Sequence, residues 1–91
     1  MSDVAYRLRV SPSVERSLAR LPEAAAAAVI EFMVGALIDN PHRVGHRLQR
    51  DLAGLWSARR GPYRVICEID DQAAVVDVVR VDHRVDIYRS R

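Results

Sequence analysis

The stretch WSARRGPYRVICEIDDQAAVVDVVRVD, residues 56–82, decides the fold of this 91-residue chain. It contains three β-prone segments, at about 55–60, 63–70 and 74–82, separated only by Gly-Pro and by the polar sequence DDQAA. Strands joined by such short turns pair antiparallel, and the nearly unbroken apolar run in the last segment is typical of a central strand. The sequence therefore predicts a three-stranded antiparallel meander.

Upstream of the meander, the sequence predicts one strand and two helices. The alternation of apolar and polar residues over 4–10 indicates a strand, and Ser11 followed by Pro12 is typical of a helix start. The Ala-rich stretch 22–40 indicates a second helix of about 18 residues. We expect one α+β domain over 1–91: an N-terminal strand, a helical hairpin and then the meander, with the helices on one face of the sheet.

Residue parity in the second segment of the meander separates two faces of the sheet. The face that we expect to pack against the helices carries Tyr63, Val65, Cys67 and Ile69. The opposite face carries Arg64, Ile66 and Glu68. We therefore expect Arg64 to lie on a face that is open and basic.

The positive charge of the chain is concentrated in its middle. The formal net charge is only +2, but residues 41–69 contain six arginines and two acidic residues, and the sequence contains no lysine. This clustering indicates a surface that binds an anionic partner. A single cysteine, Cys67, allows no internal disulfide, which fits a reducing compartment. The longest apolar run is interrupted by Glu31 and falls short of the ~20 residues of a membrane span. We expect a cytoplasmic protein with no membrane partner.

The segment 40–54 is less regular than its surroundings. His42 and His46 are four residues apart within it, but Pro41 and Gly45 argue against a shared helical face. No Cys or Glu is placed to complete a metal site with the two histidines. We predict no metal and no cofactor.

The stretch LAGLWSARRGPYRVICEIDD, followed by VVDVVRVDHRVDIYR, resembles the RelE branch of the RelE/ParE superfamily, the small toxins of bacterial toxin–antitoxin pairs. The similarity covers the whole chain: the order of elements, the helical hairpin, the G-x-Y-R hairpin and the closing H-R-x-x-x-Y. The resemblance implies an endoribonuclease that enters the ribosomal A site and cleaves mRNA there.

The resemblance also implies roles for individual residues. Arg64 lies at the position of the family's Tyr-Arg arginine, and Arg84 lies at that of the arginine in the closing motif. Tyr88 matches the closing tyrosine, and Arg59 matches a basic position on the preceding strand. These four residues are therefore candidates for the catalytic site.

Three positions depart from the family pattern. Several members of the family have two functional lysines on the preceding strand, and the residues at these positions here are Leu55 and Ser57. Asp82 lies where the family usually has a glycine, before the basic residue and arginine of the closing motif. Because the chain has no lysine, the resemblance leaves the proton acceptor unidentified.

Metal-independent RNA cleavage uses the substrate's own 2′-hydroxyl, whose oxygen attacks the adjacent phosphorus while the 5′-oxygen leaves. The reaction needs a proton acceptor, cations for the charge that grows on the phosphoryl oxygens, and a donor for the leaving oxygen. Arginine suits the second task because its planar fork forms two parallel hydrogen bonds to phosphate. Position in the sequence favours His83 as the base, with Tyr88 and Glu68 as alternatives.

The remaining positive residues of the middle segment form a predicted surface for RNA and the ribosome. This surface consists of Arg43, Arg47, Arg50 and Arg60. We call these four residues the basic belt. Trp56 is a further candidate contact, either as a platform for a base or as a hydrophobic lid.

The resemblance implies three partners: the ribosome with its mRNA, a cognate acidic antitoxin, and operator DNA bound by the toxin–antitoxin complex through the antitoxin. An alternative within the same fold is a ParE-like inhibitor of DNA gyrase without nuclease activity. A further alternative is an RNA-binding or interaction module without chemistry.

Overall fold

The computed structural model describes residues 5–83. In chain order the elements are β1 Arg7–Val10, α1 Pro12–Ala19, α2 Glu23–Phe32, α3 Pro41–Val44, β2 Gly45–Arg47, β3 Trp56–Arg60, β4 Tyr63–Asp70 and β5 Val75–His83. The strand order in the sheet is β1-β5-β4-β3-β2. β1 runs parallel to β5, and the other neighbouring strands are antiparallel.

The predicted α+β architecture is confirmed, with two additions. The N-terminal strand, the helical hairpin and the meander β3–β4–β5 occur in the predicted order. The less regular segment 40–54 also contributes α3 and β2, and β2 pairs with β3 from Gly45↔Ala58 to Arg47↔Trp56. The sheet has five strands because β1 and β2 extend the two edges of the meander.

The helical hairpin begins as predicted and ends differently. Ser11 caps α1, because its Oγ accepts a hydrogen bond from the Val14 N–H at 3.3 Å, and Pro12 opens the helix. α2 starts after Pro22 and continues as a π-helix over Met33–Leu37 rather than as one regular α-helix. No helix within residues 5–83 is long and apolar enough to cross a membrane.

The core lies between the helices and one face of the sheet. Its buried members are Val14, Val29, Met33, Leu37, Ala58, Val65, Cys67, Val76, Val78 and Val81. Val65 and Cys67 belong to the set that parity assigned to the helix side, and Tyr63 and Ile69 pack against the same cluster. Burial raises the pKa of the Cys67 thiol to about 11, so this cysteine is a neutral core side chain.

A β-bulge between β4 and β5 decides which side chains of β5 reach each face. The consecutive residues Ile66 and Cys67 pair with Arg80 and Val78, so one residue of β5 is skipped. The extra residue reverses the alternation of the strand. Val78 and Val81 are therefore both buried, although they would lie on opposite faces of a regular strand.

The face of the sheet away from the helices, which we call the second face, is only partly open and basic. Leu48, Leu52 and Leu55, which follow β2, line a groove on this face together with Ile66. Ile66 is only 8% exposed, whereas Leu52 remains 50% exposed. The second face therefore combines a basic end with an apolar end.

Three polar side chains join α3, the β4–β5 turn and the residue before β1. The Tyr6 hydroxyl donates to Asp71 Oδ1 at 2.7 Å, and His42 Nε2 lies 2.7 Å from the same oxygen. These hydrogen bonds, first from His42 and then from Tyr6, hold the pKa of the Asp71 carboxyl below its ordinary value. The hydrogen bond to Asp71 also raises the pKa of the Tyr6 hydroxyl.

We predict that Asp71→Asn weakens the acid dependence of folding stability. A carboxyl whose pKa is lowered in the folded state stabilises the fold above its unfolded pKa of about 3.9, and this contribution is lost as the pH falls through the folded value. Urea unfolding at several pH values across this range should show that the free energy of unfolding falls more steeply on acidification for the wild type than for the variant. Asp39→Asn, at another exposed carboxyl, is the control; equal slopes for Asp71→Asn and the wild type would contradict the prediction.

Candidate functional site

Arg59 and Arg64 face each other across the β3–β4 hairpin. Their Cα positions are paired in the ladder, and the turn between them contains Gly61, whose φ of +59° favours glycine. Neither arginine forms an ion pair with another residue in 5–83. Because like charges directly opposite each other on neighbouring strands are destabilising, this pair is an arrangement that a bound anion would stabilise.

A cavity of about 550 Å³ surrounds these two arginines on the second face. Its other lining residues include His46, from β2, and Ser57, which is the β3 partner of His46 in the ladder. The cavity thus combines two permanent cations with an imidazole and a hydroxyl. Such a set can hold a phosphate and can also exchange a proton with a group beside it.

The groove next to this cavity shares Arg64 and Leu48 with it. We call it the leucine groove; its aliphatic walls are Leu48, Leu52, Leu55, Ile66 and Val79. Its polar end consists of Arg80 and Asp82. Asp82 is the ladder partner of Arg64, but its carboxylate accepts a hydrogen bond from Arg80 Nε at 2.8 Å instead.

His83, which the sequence favoured as the base, lies on the other face of the sheet. It pairs with Tyr63 in the ladder, and the two rings meet edge to face with their centroids 5.0 Å apart. Because of the bulge, His83 shares its face with the buried Val81, away from Arg59 and Arg64. Arg84 and Tyr88, the other two candidates from the resemblance, lie outside the described residues.

His46 is the residue of this site that sequence reasoning did not select. The sequence suggested it only as a partner of His42 in a metal site. The structure separates the two histidines, because His42 contacts Asp71 and Trp56 whereas His46 lines the cavity with the arginines. No local sequence signal identifies His46, because the three-residue strand on which it lies depends on pairing with β3.

The four residues of the basic belt are all exposed, and two of them line a different cavity from that of Arg59 and Arg64. Arg47 and Arg50 line a second cavity of about 540 Å³ with Trp56. The Arg47 guanidinium lies 5.4 Å from the centre of the Trp56 ring, and Trp56 packs against the core. This position of Trp56 fits a hydrophobic lid better than an open platform for a base.

Comparison with known proteins places this chain in a family. Residues 8–88 match the family described as the ParE toxin of the type II toxin–antitoxin system parDE. The chain is 50% identical over 84 residues to toxin RelG of Mycobacterium tuberculosis, covering 92% of this chain and 97% of that protein. It is 46% identical over 87 residues to toxin RelE of the same organism, covering 96% and 90%.

Solved structures agree with these relatives. The structure of the toxin–antitoxin complex RelBE2 from M. tuberculosis contains a chain that is 48% identical, with a TM-score of 0.86 and coverage of 89% of this chain and 100% of that one. The archaeal RelE–RelB complex from Pyrococcus horikoshii contains a chain that is 26% identical, with a TM-score of 0.70 and coverage of 89% and 97%. The chain therefore belongs to the RelE/ParE superfamily and is a RelE-type toxin of a type II toxin–antitoxin system.

Proposed function

We propose that this toxin is a ribosome-dependent endoribonuclease that cleaves mRNA in the A site by attack of the 2′-hydroxyl, without a metal. The observation that carries the proposal is the Arg59–Arg64 pair, which is paired in the ladder, lines one cavity with the His46 imidazole and makes no ion pair within residues 5–83. A phosphate between the two arginines would replace their repulsion with charge-assisted hydrogen bonds. Positioning on the ribosome supplies the geometry of in-line attack.

In this mechanism, Arg59 and Arg64 hold the phosphoryl oxygens as negative charge grows on them. His46 accepts the proton of the 2′-hydroxyl, because it lines the same cavity as both arginines. Arg84 supplies a further cation, as the resemblance implies, and the 5′-oxygen takes a proton from the Tyr88 hydroxyl or from water as the bond between it and phosphorus breaks. Arginine itself does not serve as the base, since it stays protonated near neutral pH.

We also propose that an acidic antitoxin covers the basic belt and the second face and so blocks access to RNA. The solved RelBE2 and RelE–RelB structures are complexes of a toxin with its antitoxin. We place the toxin in the cytoplasm, with operator DNA bound by the complex through the antitoxin. A purified toxin that bound no protein encoded beside its own gene at micromolar concentration would refute this partner.

A second candidate function is inhibition of DNA gyrase by protein contact. The observation in its favour is the family match itself, which is described for the ParE toxin. Induction of the gene, followed by pulse-labelling, mapping of mRNA ends on ribosomes and measurement of plasmid supercoiling, separates the two functions. Rapid loss of translation with cuts inside coding regions supports the nuclease, whereas intact messages with altered supercoiling support gyrase inhibition.

The first prediction from this proposed function concerns the arginine pair. We expect Arg64→Ala and Arg59→Ala each to lower single-turnover cleavage on programmed ribosomes by about 10²–10³-fold, the usual cost of losing one preorganised donor. Arg64→Lys should be intermediate, because it keeps the charge but loses the planar fork. Arg16→Ala, on the exposed surface of α1, is the folded control. Cleavage near the wild-type rate in both alanine variants would remove the basis of the proposed nuclease.

The second prediction concerns the base. We expect His46→Gln to lower the cleavage rate by about 10²–10⁴-fold. It should also abolish the rise of the rate with pH that a histidine base causes. His83→Gln, on the opposite face, should keep that rise. The rate is measured against pH in single turnover for both variants. If His83→Gln alone abolished the pH dependence, the assignment of the base would return to His83.

The third prediction concerns the basic belt. Replacing all four belt arginines by alanine should make ribosome binding less dependent on salt, by up to about one unit of slope for each phosphate that the protein no longer neutralises. The matched control replaces four exposed arginines outside the belt, and therefore removes the same charge: Arg7, Arg9, Arg16 and Arg20. Equal slopes for the two fourfold variants would show that the belt is not the ribosome-binding surface.

A further inference from the structure

We propose that the leucine groove is a nucleobase subsite that receives the base next to the cleaved phosphate and selects bases with an exocyclic amino group. This inference rests on the proposed function, because the phosphate held by Arg59 and Arg64 fixes where the adjoining base lies. The groove shares Arg64 with the phosphate cavity, so one guanidinium borders both sites. A nucleotide could therefore place its phosphate at the Arg64 guanidinium and its base in the apolar groove.

The size and the walls of the groove suit one base. The groove encloses about 290 Å³, near the lower end of small-ligand sites at roughly 300 Å³, and this favours a single planar ring system over a folded segment of protein. Its walls are aliphatic, and Leu52 is 50% exposed at the rim. A base lying against these side chains would remove apolar surface from water on both partners.

The polar end of the groove can read the edge of that base. Arg80 Nε donates to the Asp82 carboxylate, and the pairing holds this acid in place while leaving acceptor capacity on its two oxygens. The Asp82 side chain is only 19% exposed, so a hydrogen bond to it would form in a site with little water. A carboxylate accepts hydrogen bonds from the amino groups of cytosine, adenine and guanine, whereas uracil has no amino group to donate.

Asp82 is a departure from the family pattern that this chain otherwise resembles, because that pattern usually has a glycine at this position. A carboxylate beside the phosphate site does not favour the binding of phosphate, because its negative charge repels the anion. Asp82 forms its ion pair with Arg80 rather than with its ladder neighbour Arg64, so it does not neutralise the phosphate-binding cation directly. A role in base selection accounts for an acid at this position.

Nucleotide binding to the purified toxin tests the subsite directly. The probes are AMP, CMP, GMP, UMP and inorganic phosphate, and the readout is the NMR shift of the methyl groups of the groove leucines and Ile66. We expect the three amino-bearing nucleotides to bind about five- to hundredfold more tightly than UMP and to shift these methyl groups, which phosphate should leave unchanged. Equal affinities for all five probes, or methyl groups that do not shift, would overturn the proposal.

Two variants locate the selection within the groove. Asp82→Ala should abolish the preference over UMP, because it removes the hydrogen-bond acceptor, and Leu52→Ala should weaken the binding of all four nucleotides without changing the affinity for phosphate. Val34→Ala, at an exposed apolar residue of the π-helical turn, is the matched control. It should change neither the preference over UMP nor the affinity for the four nucleotides. A preference that survives Asp82→Ala would refute the selecting role of this carboxylate.

Cleavage on programmed ribosomes separates the subsite from the proposed function. If the wild type cleaves, substitution of the base beside the cut should change the rate in the same order as the nucleotide affinities, and Asp82→Ala should remove this order. Cleavage that ignores the base in both proteins would contradict the subsite and leave the nuclease intact. Base-selective binding with uncut mRNA would contradict the nuclease and leave the subsite intact. Methyl shifts caused by an antitoxin peptide but by no nucleotide would identify the groove as a protein contact and overturn the proposal.

Discussion

The one-residue bulge in β5 is the constraint on which the second face depends. It pairs Ile66 with Arg80 but Cys67 with Val78, and so exchanges the two faces of the strand halfway along its length. With regular alternation, the strand would direct Arg80 towards the helical core. The bulge allows the first half of β5 to supply core valines and the second half to supply a polar end to the leucine groove, within a single strand.

The repulsion between Arg59 and Arg64 persists because their neighbours on the same strands are buried. Ala58 and Val65, each adjacent in sequence to one of the arginines, form a ladder pair on the helix side and have no exposed surface. Burying one valine side chain contributes about 1.5–3 kcal/mol, whereas an unfavourable cross-strand pair costs up to about 1 kcal/mol. The core therefore fixes the register of the hairpin, and the register keeps the two cations together.

The sequence was sufficient to predict the features that a repeating residue pattern within one segment reveals. Alternation over 63–70 assigned Arg64 to the face away from the helices, because four apolar residues in phase report which side is buried. It could not reveal β2, a three-residue strand that depends on pairing with β3, and it therefore did not place His46 beside the arginines. It could not reveal the bulge either, because the valines of the stretch 75–81 fall in both phases and each phase carries one charged residue, Asp77 or Arg80, so the pattern does not fix the register.

The absence of lysine from the sequence separates charge from proton transfer in the proposed site. Arginine stays protonated throughout the neutral pH range, so the positive charge of the phosphate cavity does not change within that range. Histidine is the side chain that ordinarily gains and loses a proton in this range, and the sheet places His46 on the second face and His83 on the helix side. The pH dependence of variants that lack one histidine or the other therefore reports which face of the sheet the 2′-hydroxyl approaches, a question that binding of the phosphate alone does not answer.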